Sequence, residues 1–154
     1  MEIIKGNVLE TNCNVIAHQV NCMGVMGAGL AKQIKQEYPE VFLKYKEFIK
    51  ENGASKVYGR ALGVKTSNYL FFNLFGQYGY GRSRQQTSYK HLESALEEMG
   101  DILKESYKCG GQVPVAIPYK IGCGLAGGEW EVVSQILEKV EKRKGFLFIA
   151  YQLK

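Results

Sequence analysis

Two glycine-rich runs, each directly after an apolar strand-like stretch, describe a cleft for an anion. The first is Val20-Asn21-Cys22-Met23-Gly24-Val25-Met26-Gly27-Ala28-Gly29-Leu30. The second is Ile121-Gly122-Cys123-Gly124-Leu125-Ala126-Gly127-Gly128. Each leads into a helix-like segment. Glycine lets the backbone come close to an anion and take positive φ, and a helix N-terminus adds free N–H donors. Two such loops at one edge of a sheet would face each other as the walls of a phosphate site. His18 ends the apolar run before the first loop, and Asn21 opens that loop. An imidazole titrates near neutral pH, so His18 can pass a proton or attack phosphorus. A buried, hydrogen-bonded strand histidine is the competing reading. Asn21 has little to do in a core and reads as a group that orients a ligand or a water. Phosphoryl transfer needs positioning and charge stabilisation more than covalent chemistry, and loop amides supply part of both.

Other chemistries fit poorly. Gly24-x-x-Gly27-x-Gly29 lacks the Gly-Lys-Ser/Thr of a Walker loop. Its spacing, and the missing acidic ribose ligand, also set it apart from the dinucleotide fingerprint. The cysteines Cys13, Cys22, Cys109 and Cys123 form no Cys-x-x-Cys pair, and His18 and His91 lie far apart, so no metal site is expected. Cys22 and Cys123 read as small packing residues, because no histidine adjoins them. The net charge is +5, with acidic and basic residues mixed along the helices. A nucleic-acid groove wants a basic stripe with interleaved aromatics. Tyr78-Gly79-Tyr80-Gly81-Arg82-Ser83-Arg84 comes closest but is short, and a small anionic ligand explains the excess equally well. Without a signal peptide or a long apolar stretch, the chain reads as cytoplasmic, with no membrane partner.

The elements that must position these loops follow from periodicity. Glu2–Lys5 and Asn14–Val20 read as strands, the second as a central one. Ala28 to Tyr38 has helical spacing, with Leu30, Ile34 and Tyr38 on one face. Pro39 ends it, and a second helix runs from about Glu40 to Glu51 with Val41, Tyr45, Phe48 and Ile49 inward. Ala61–Lys65 and Tyr69–Phe75 read as a strand pair about the turn Thr66-Ser67-Asn68. Thr87 or Ser88 caps a long helix through about Tyr107. Val113–Ile117 is a short buried strand, Glu131–Lys142 an amphipathic helix, and Phe146–Leu153 a closing strand. The 154 residues, 45% of them hydrophobic, suit one domain over 1–154. Strands alternating with helices imply an α/β chain whose mixed sheet carries helices on both faces. Ligands bind at the carboxyl ends of such strands, where both loops fall.

Taken together, these runs resemble the macrodomain family, which binds ADP-ribose. The resemblance rests on Lys5-Gly6-Asn7-Val8-Leu9, on Val15-Ile16-Ala17-His18-Gln19-Val20-Asn21 and its loop, and on Pro118-Tyr119-Lys120-Ile121-Gly122-Cys123-Gly124-Leu125. The closing run Phe148-Ile149-Ala150-Tyr151-Gln152-Leu153 matches too, so nearly the whole chain is covered. It is closest to the subgroup holding ADP-ribose-1″-phosphate phosphatases and glutamyl-ADP-ribose hydrolases, where a histidine stands at His18. The implied fold is a three-layer α/β/α macrodomain with a mixed central sheet. The implied site has Asn7 and Val8 at adenine, Asn21 at the distal ribose, and Gly27, Ala28, Gly29 and Leu30 as the first diphosphate wall. Gly122, Cys123, Gly124, Leu125 and Ala126 form the second wall, and Tyr151 and Leu153 pack on adenine. Asn7 stands where the family usually has an acid, and its oxygen can still accept from the adenine amino group, without charge.

Two departures steer the activity. Ala126 stands where the glutamyl-ADP-ribose hydrolases are expected to carry an Asp. Gly76-Gln77-Tyr78 replaces the stretch that would hold their Lys. A covalent lysyl intermediate is therefore not expected. The favoured activity is loss of phosphate from ADP-ribose-1″-phosphate, with His18 and Asn21 catalytic, no metal and no cofactor. A hydrolase acting on ADP-ribosylated macromolecules and a non-catalytic ADP-ribose module are the alternatives, and the chain is expected to be a monomer. Phe75, Tyr78 and Tyr80 read either as core packing or as a lid over the distal ribose. Arg82 and Arg84 follow as candidate phosphate contacts, or as solvated arginines. Trp130 reads as a core anchor, and Glu129 is assigned no catalysis.

Overall fold

The computed structural model describes residues 1–107 and 112–153, so Cys109 lies outside the described residues. Six strands form one sheet: β1 (Glu2–Lys5), β2 (Val15–Gln19), β3 (Ala61–Lys65), β4 (Leu70–Leu74), β5 (Val113–Pro118) and β6 (Phe146–Gln152). Their order is β1-β6-β5-β2-β4-β3. Every pairing is parallel except that of β3 with β4, so the sheet is mixed and β2 is central. The helices are α1 (Gly29–Glu37), α2 (Pro39–Asn52), α3 (Ala54–Val57), α4 (Tyr89–Ser106) and α5 (Trp130–Lys144), with a 3-10 turn at Val8–Glu10.

The three layers follow from period-two alternation in the strands. Val15 and Ala17 of β2, Phe72 and Leu74 of β4, and Phe146, Phe148 and Ala150 of β6 face one way. They pack on Leu92, Leu96 and Met99 of α4 and Val133, Leu137 and Val140 of α5. Ile16 of β2 and Phe71 of β4 face the other way, onto Ile34 of α1 and Val41 and Tyr45 of α2. Burial of both sheet faces is what makes the strand sequences nearly continuous in apolar residues. Phe48 and Ile49 are only half-buried at the margin of that second cluster. Among the described residues, no helix is long and apolar enough to cross a membrane.

Capping sets where α4 begins, and α4 anchors one side of the site. Ser88 is its N-cap, accepting from the His91 backbone N–H at 3.4 Å and meeting His91 Nδ1 at 2.7 Å. Ser88→Ala is expected to cost roughly 1 kcal/mol, measured by urea unfolding. No loss of stability would show that the packing of α4 alone fixes its start.

Candidate functional site

The carboxyl ends of β2 and β5 open onto a cavity of about 520 Å³. Its floor is His18, Gln19, Val20 and Asn21. One wall is Val25, Gly27, Ala28, Gly29 and Leu30, and the other is Gly122, Gly124, Leu125 and Ala126. A third side comes from the loop after β4, through Gln77, Tyr80, Gly81 and Arg82. A second cavity of about 350 Å³ is lined by Asn7, Val8, Tyr119, Tyr151 and Leu153. Gly29, Leu30 and Pro118 line both, so the two form one groove.

The walls stand where they do for local reasons. In the second wall Gly122 has φ +76, and the Gly128 N–H donates to the Gly122 carbonyl at 2.9 Å. A Cβ at Gly128 would lie 2.6 Å from that carbonyl oxygen, so the loop closes only over glycine. In the first wall Asn21 organises the turn. Its Oδ1 accepts from the Met23 N–H (3.0 Å), the Val25 N–H (3.4 Å) and the Tyr45 hydroxyl (2.7 Å). Its Nδ2 donates to the Val25 carbonyl at 2.8 Å. Tyr45 reaches this point from α2, stacked on Phe75. Asn21 therefore positions the wall, and one amide hydrogen remains for a ligand.

The loop after β4 is stitched to both walls. The Cys22 N–H donates to the Tyr78 carbonyl at 2.9 Å, and the Gln86 and Thr87 N–H groups donate to the Ala126 carbonyl. Beneath them, Gln19 Nε2 donates to Thr87 Oγ1 at 2.8 Å, and the Thr87 hydroxyl donates to the Gly122 carbonyl at 2.6 Å. Gln19 Nε2 also donates to Gln77 Oε1 at 2.9 Å, so Gln19, Gln77 and Thr87 are the struts of the site. Sequence reasoning missed them because these contacts join segments distant in the chain.

His18 sits on the floor, 2% exposed, beside Asn73 in the parallel register of β2 and β4. His18 Nε2 lies 2.7 Å from Asn73 Oδ1, while Asn73 Nδ2 donates to the Leu62 carbonyl at 3.5 Å. That orientation makes Nε2–H the donor and leaves a lone pair on Nδ1, which is buried and has no partner among the described residues. Burial lowers the His18 pKa to about 4, against a smaller opposing effect of the Asn73 bond. The ring is neutral near pH 7, so the expected proton-donor role is closed there and only the lone-pair role remains. Asn73 had one signal in the sequence: a lone amide inside the apolar run Leu70–Leu74.

Other expectations need correction. Cys123 lies in the second wall's sequence but does not line the groove. Its thiol donates to the Ile121 carbonyl and packs toward the α4–α5 core. Desolvation raises its pKa to about 11 and that of Cys22 to about 12, which keeps both thiols protonated. Phe75 is core and not lid, with no exposed surface. Tyr78 packs edge-on against Tyr58, and Tyr80 alone of the three aromatics lines the cavity. Arg82 lines it and Arg84 does not. Asn7 caps the 3-10 turn, its Oδ1 accepting the Leu9 N–H at 2.9 Å. Trp130 anchors α5 against Tyr119 as expected. Lys120, to which the sequence reading gave no site role, lines the cavity with φ +59, the one non-glycine in the left-handed region among the described residues.

A mixed sheet between helix layers, with a glycine-walled groove across its carboxyl edge, defines a three-layer α/β/α domain. The chain belongs to the Macro domain family, whose model matches residues 17–137. It is similar to a DNA ADP-ribosyl transferase–DNA ADP-ribosyl glycohydrolase fusion protein of Thermosipho africanus, 28% identical over 153 residues, covering 89% of this chain and 38% of that one. It is also similar to an ADP-ribose 1″-phosphate phosphatase of Lodderomyces elongisporus, 30% identical over 139 residues, covering 82% of this chain and 81% of that one. Its fold is that of the macrodomain of Mycobacterium tuberculosis DarG, with a TM-score of 0.81 at 24% identity over 98% of this chain and 95% of that one. The chain spans under two fifths of the length of the glycohydrolase relatives.

Proposed function

We propose that this chain binds ADP-ribose in the groove and releases phosphate from ADP-ribose-1″-phosphate, with His18 as the reacting group. One observation carries the reading: the charged side chains lining the larger cavity are Arg82 and Lys120, both cationic. A diphosphate plus a terminal phosphate is the ligand such a cavity favours, and the glycine walls add main-chain N–H donors. A glycosidase-type reaction would want a pair of carboxyl groups, and none lines this cavity. That ranks hydrolysis of ADP-ribosylated macromolecules below phosphate release. The name of the Lodderomyces relative agrees with this order, and that of the Thermosipho relative with the reverse one.

In this reading the base occupies the smaller cavity, against Tyr151 and Leu153. The diphosphate runs between Gly27–Leu30 and Gly122–Ala126, and the distal ribose lies over His18 and Asn21. His18 Nδ1 bonds to phosphorus as the bond from phosphorus to the ribose oxygen breaks. Water protonates that oxygen, and the hydroxide it leaves attacks phosphorus of the phospho-imidazolium, which releases phosphate and returns neutral His18. Asn73 holds Nε2–H throughout, and Arg82 and Lys120 balance the phosphoryl oxygens. The free thiols of Cys13, Cys22 and Cys123 suit the cytoplasm.

A binding module without turnover is the second reading, favoured by the burial of Nδ1. Calorimetric titration with ADP-ribose, followed by a phosphate-release assay on ADP-ribose-1″-phosphate, separates the two. Binding with release is expected. Binding without release selects the module, and failure to bind ADP-ribose removes both.

A further inference from the structure

We infer that Tyr45, which lines neither cavity, is a positioning residue whose hydroxyl holds the Asn21 amide in the orientation that serves the distal ribose. The inference rests on the reading that ADP-ribose occupies the groove. Tyr45 lies in the middle of α2, one turn after Val41, and has no exposed surface. Its ring is stacked on Phe75 at 5.7 Å and tilted against Phe42 at 6.2 Å. A phenylalanine would fill that place equally well. It would also bring no hydroxyl out of water, a step that costs free energy unless the hydroxyl is bonded. The Tyr45 hydroxyl is bonded, and to one residue. Its single hydrogen is shared between the Asn21 carbonyl at 2.8 Å and Asn21 Oδ1 at 2.7 Å.

That arrangement ties the main chain and the side chain of Asn21 to one point. Every other bond of the Asn21 side chain goes to Met23 or Val25, inside its own loop, and moves with that loop. Tyr45 is the one tie from this side chain to another element among the described residues. A fourteen-residue helix packed on the sheet keeps the hydroxyl in place. With Oδ1 held there and one Nδ2 hydrogen given to the Val25 carbonyl, the plane of the amide fixes the direction of the second hydrogen. Tyr45 therefore sets where that last donor points, from outside the groove.

Tyr45→Phe keeps the ring and removes the hydroxyl. Calorimetry on parent and variant would compare ADP-ribose with ADP, which lacks the distal ribose. ADP-ribose is expected to bind the variant about tenfold more weakly, the order of one hydrogen bond, while ADP binds both proteins within about twofold. The fitted stoichiometry counts the folded fraction and keeps a loss of fold apart from a loss of affinity. Asn21→Ala supplies a second comparison that does not depend on ADP. Because Tyr45 acts through that amide, adding Tyr45→Phe to Asn21→Ala should weaken ADP-ribose by less than about twofold further. Additive losses in the double variant overturn the inference. Equal losses for ADP-ribose and ADP, no loss for either, or a Tyr45→Phe protein that does not fold make the hydroxyl a structural group and overturn it too. The parent alone tests the groove: if it does not bind ADP-ribose, the groove assignment falls, and Tyr45 has no ligand to position.

Discussion

Gly124→Asp is expected to weaken ADP-ribose binding at least about a hundredfold while leaving the melting temperature unchanged. A Cβ at Gly124 meets nothing within 4 Å, and its backbone is not among the positive-φ positions, so the fold accommodates the side chain. The new carboxylate would stand in the second wall, where the diphosphate is to lie. Two unit charges about 5 Å apart at an effective dielectric near 20 repel by about 3 kcal/mol, which is about a hundredfold in affinity. Raising the salt should recover part of the loss, because the penalty is coulombic. Calorimetry on parent and variant, with a thermal melt of each, checks the result. Retained affinity would show that the anion does not pass this wall. Gly128→Ala would be a poorer probe. Its Cβ falls 2.6 Å from the Gly122 carbonyl oxygen, so it distorts the loop and confuses folding with binding.

The walls were legible in the sequence because their information is local. A glycine run between an apolar strand and a helix specifies backbone that approaches an anion, whatever surrounds it. The strand and helix faces were legible for the same reason, since β2 and β4 carry apolar residues on both sides and α4 repeats Leu92, Leu96, Met99 and Leu103 at helical spacing. The four-residue helix Ala54–Val57 and the turn Val8–Glu10 are too short to show a period, and both were missed.

What escaped the sequence depends on register and on which way a side chain turns. His18 and Asn73 are 55 positions apart, and they meet because β2 and β4 pair in parallel at one offset. Nothing short of that offset reveals that Nε2 is the bonded nitrogen and Nδ1 the one without a partner among the described residues. Cys123 sits among groove residues in the sequence, yet its side chain turns toward the α4–α5 core while its neighbours Gly122 and Gly124 line the cavity. The Asn7 amide is oriented by the Leu9 N–H, a donor made available only by the 3-10 turn.

His18→Ala is expected to lower phosphate release from ADP-ribose-1″-phosphate by about a thousandfold and to leave ADP-ribose affinity nearly unchanged. The pH dependence distinguishes this role from a structural one. Nδ1 acts only while the ring is neutral, and burial holds the folded pKa near 4. The parent rate should be flat across the neutral range and should fall as pH drops through about 4. A rate that halves near pH 6.5 would mean that the reacting ring titrates as if exposed, which contradicts its burial. Stability follows the same displacement. The unfolded chain binds this proton near 6.5 and the folded chain only near 4. The stability present above pH 6.5 is therefore lost as pH falls between those values, by up to about 1.4 kcal/mol per unit. His18→Ala has no such proton to bind. The parent's melting temperature should therefore drop toward the variant's over that interval and run parallel to it below. Two curves that stay parallel throughout would show that the ring is solvated in the folded protein, and the lone-pair mechanism would lose its physical basis.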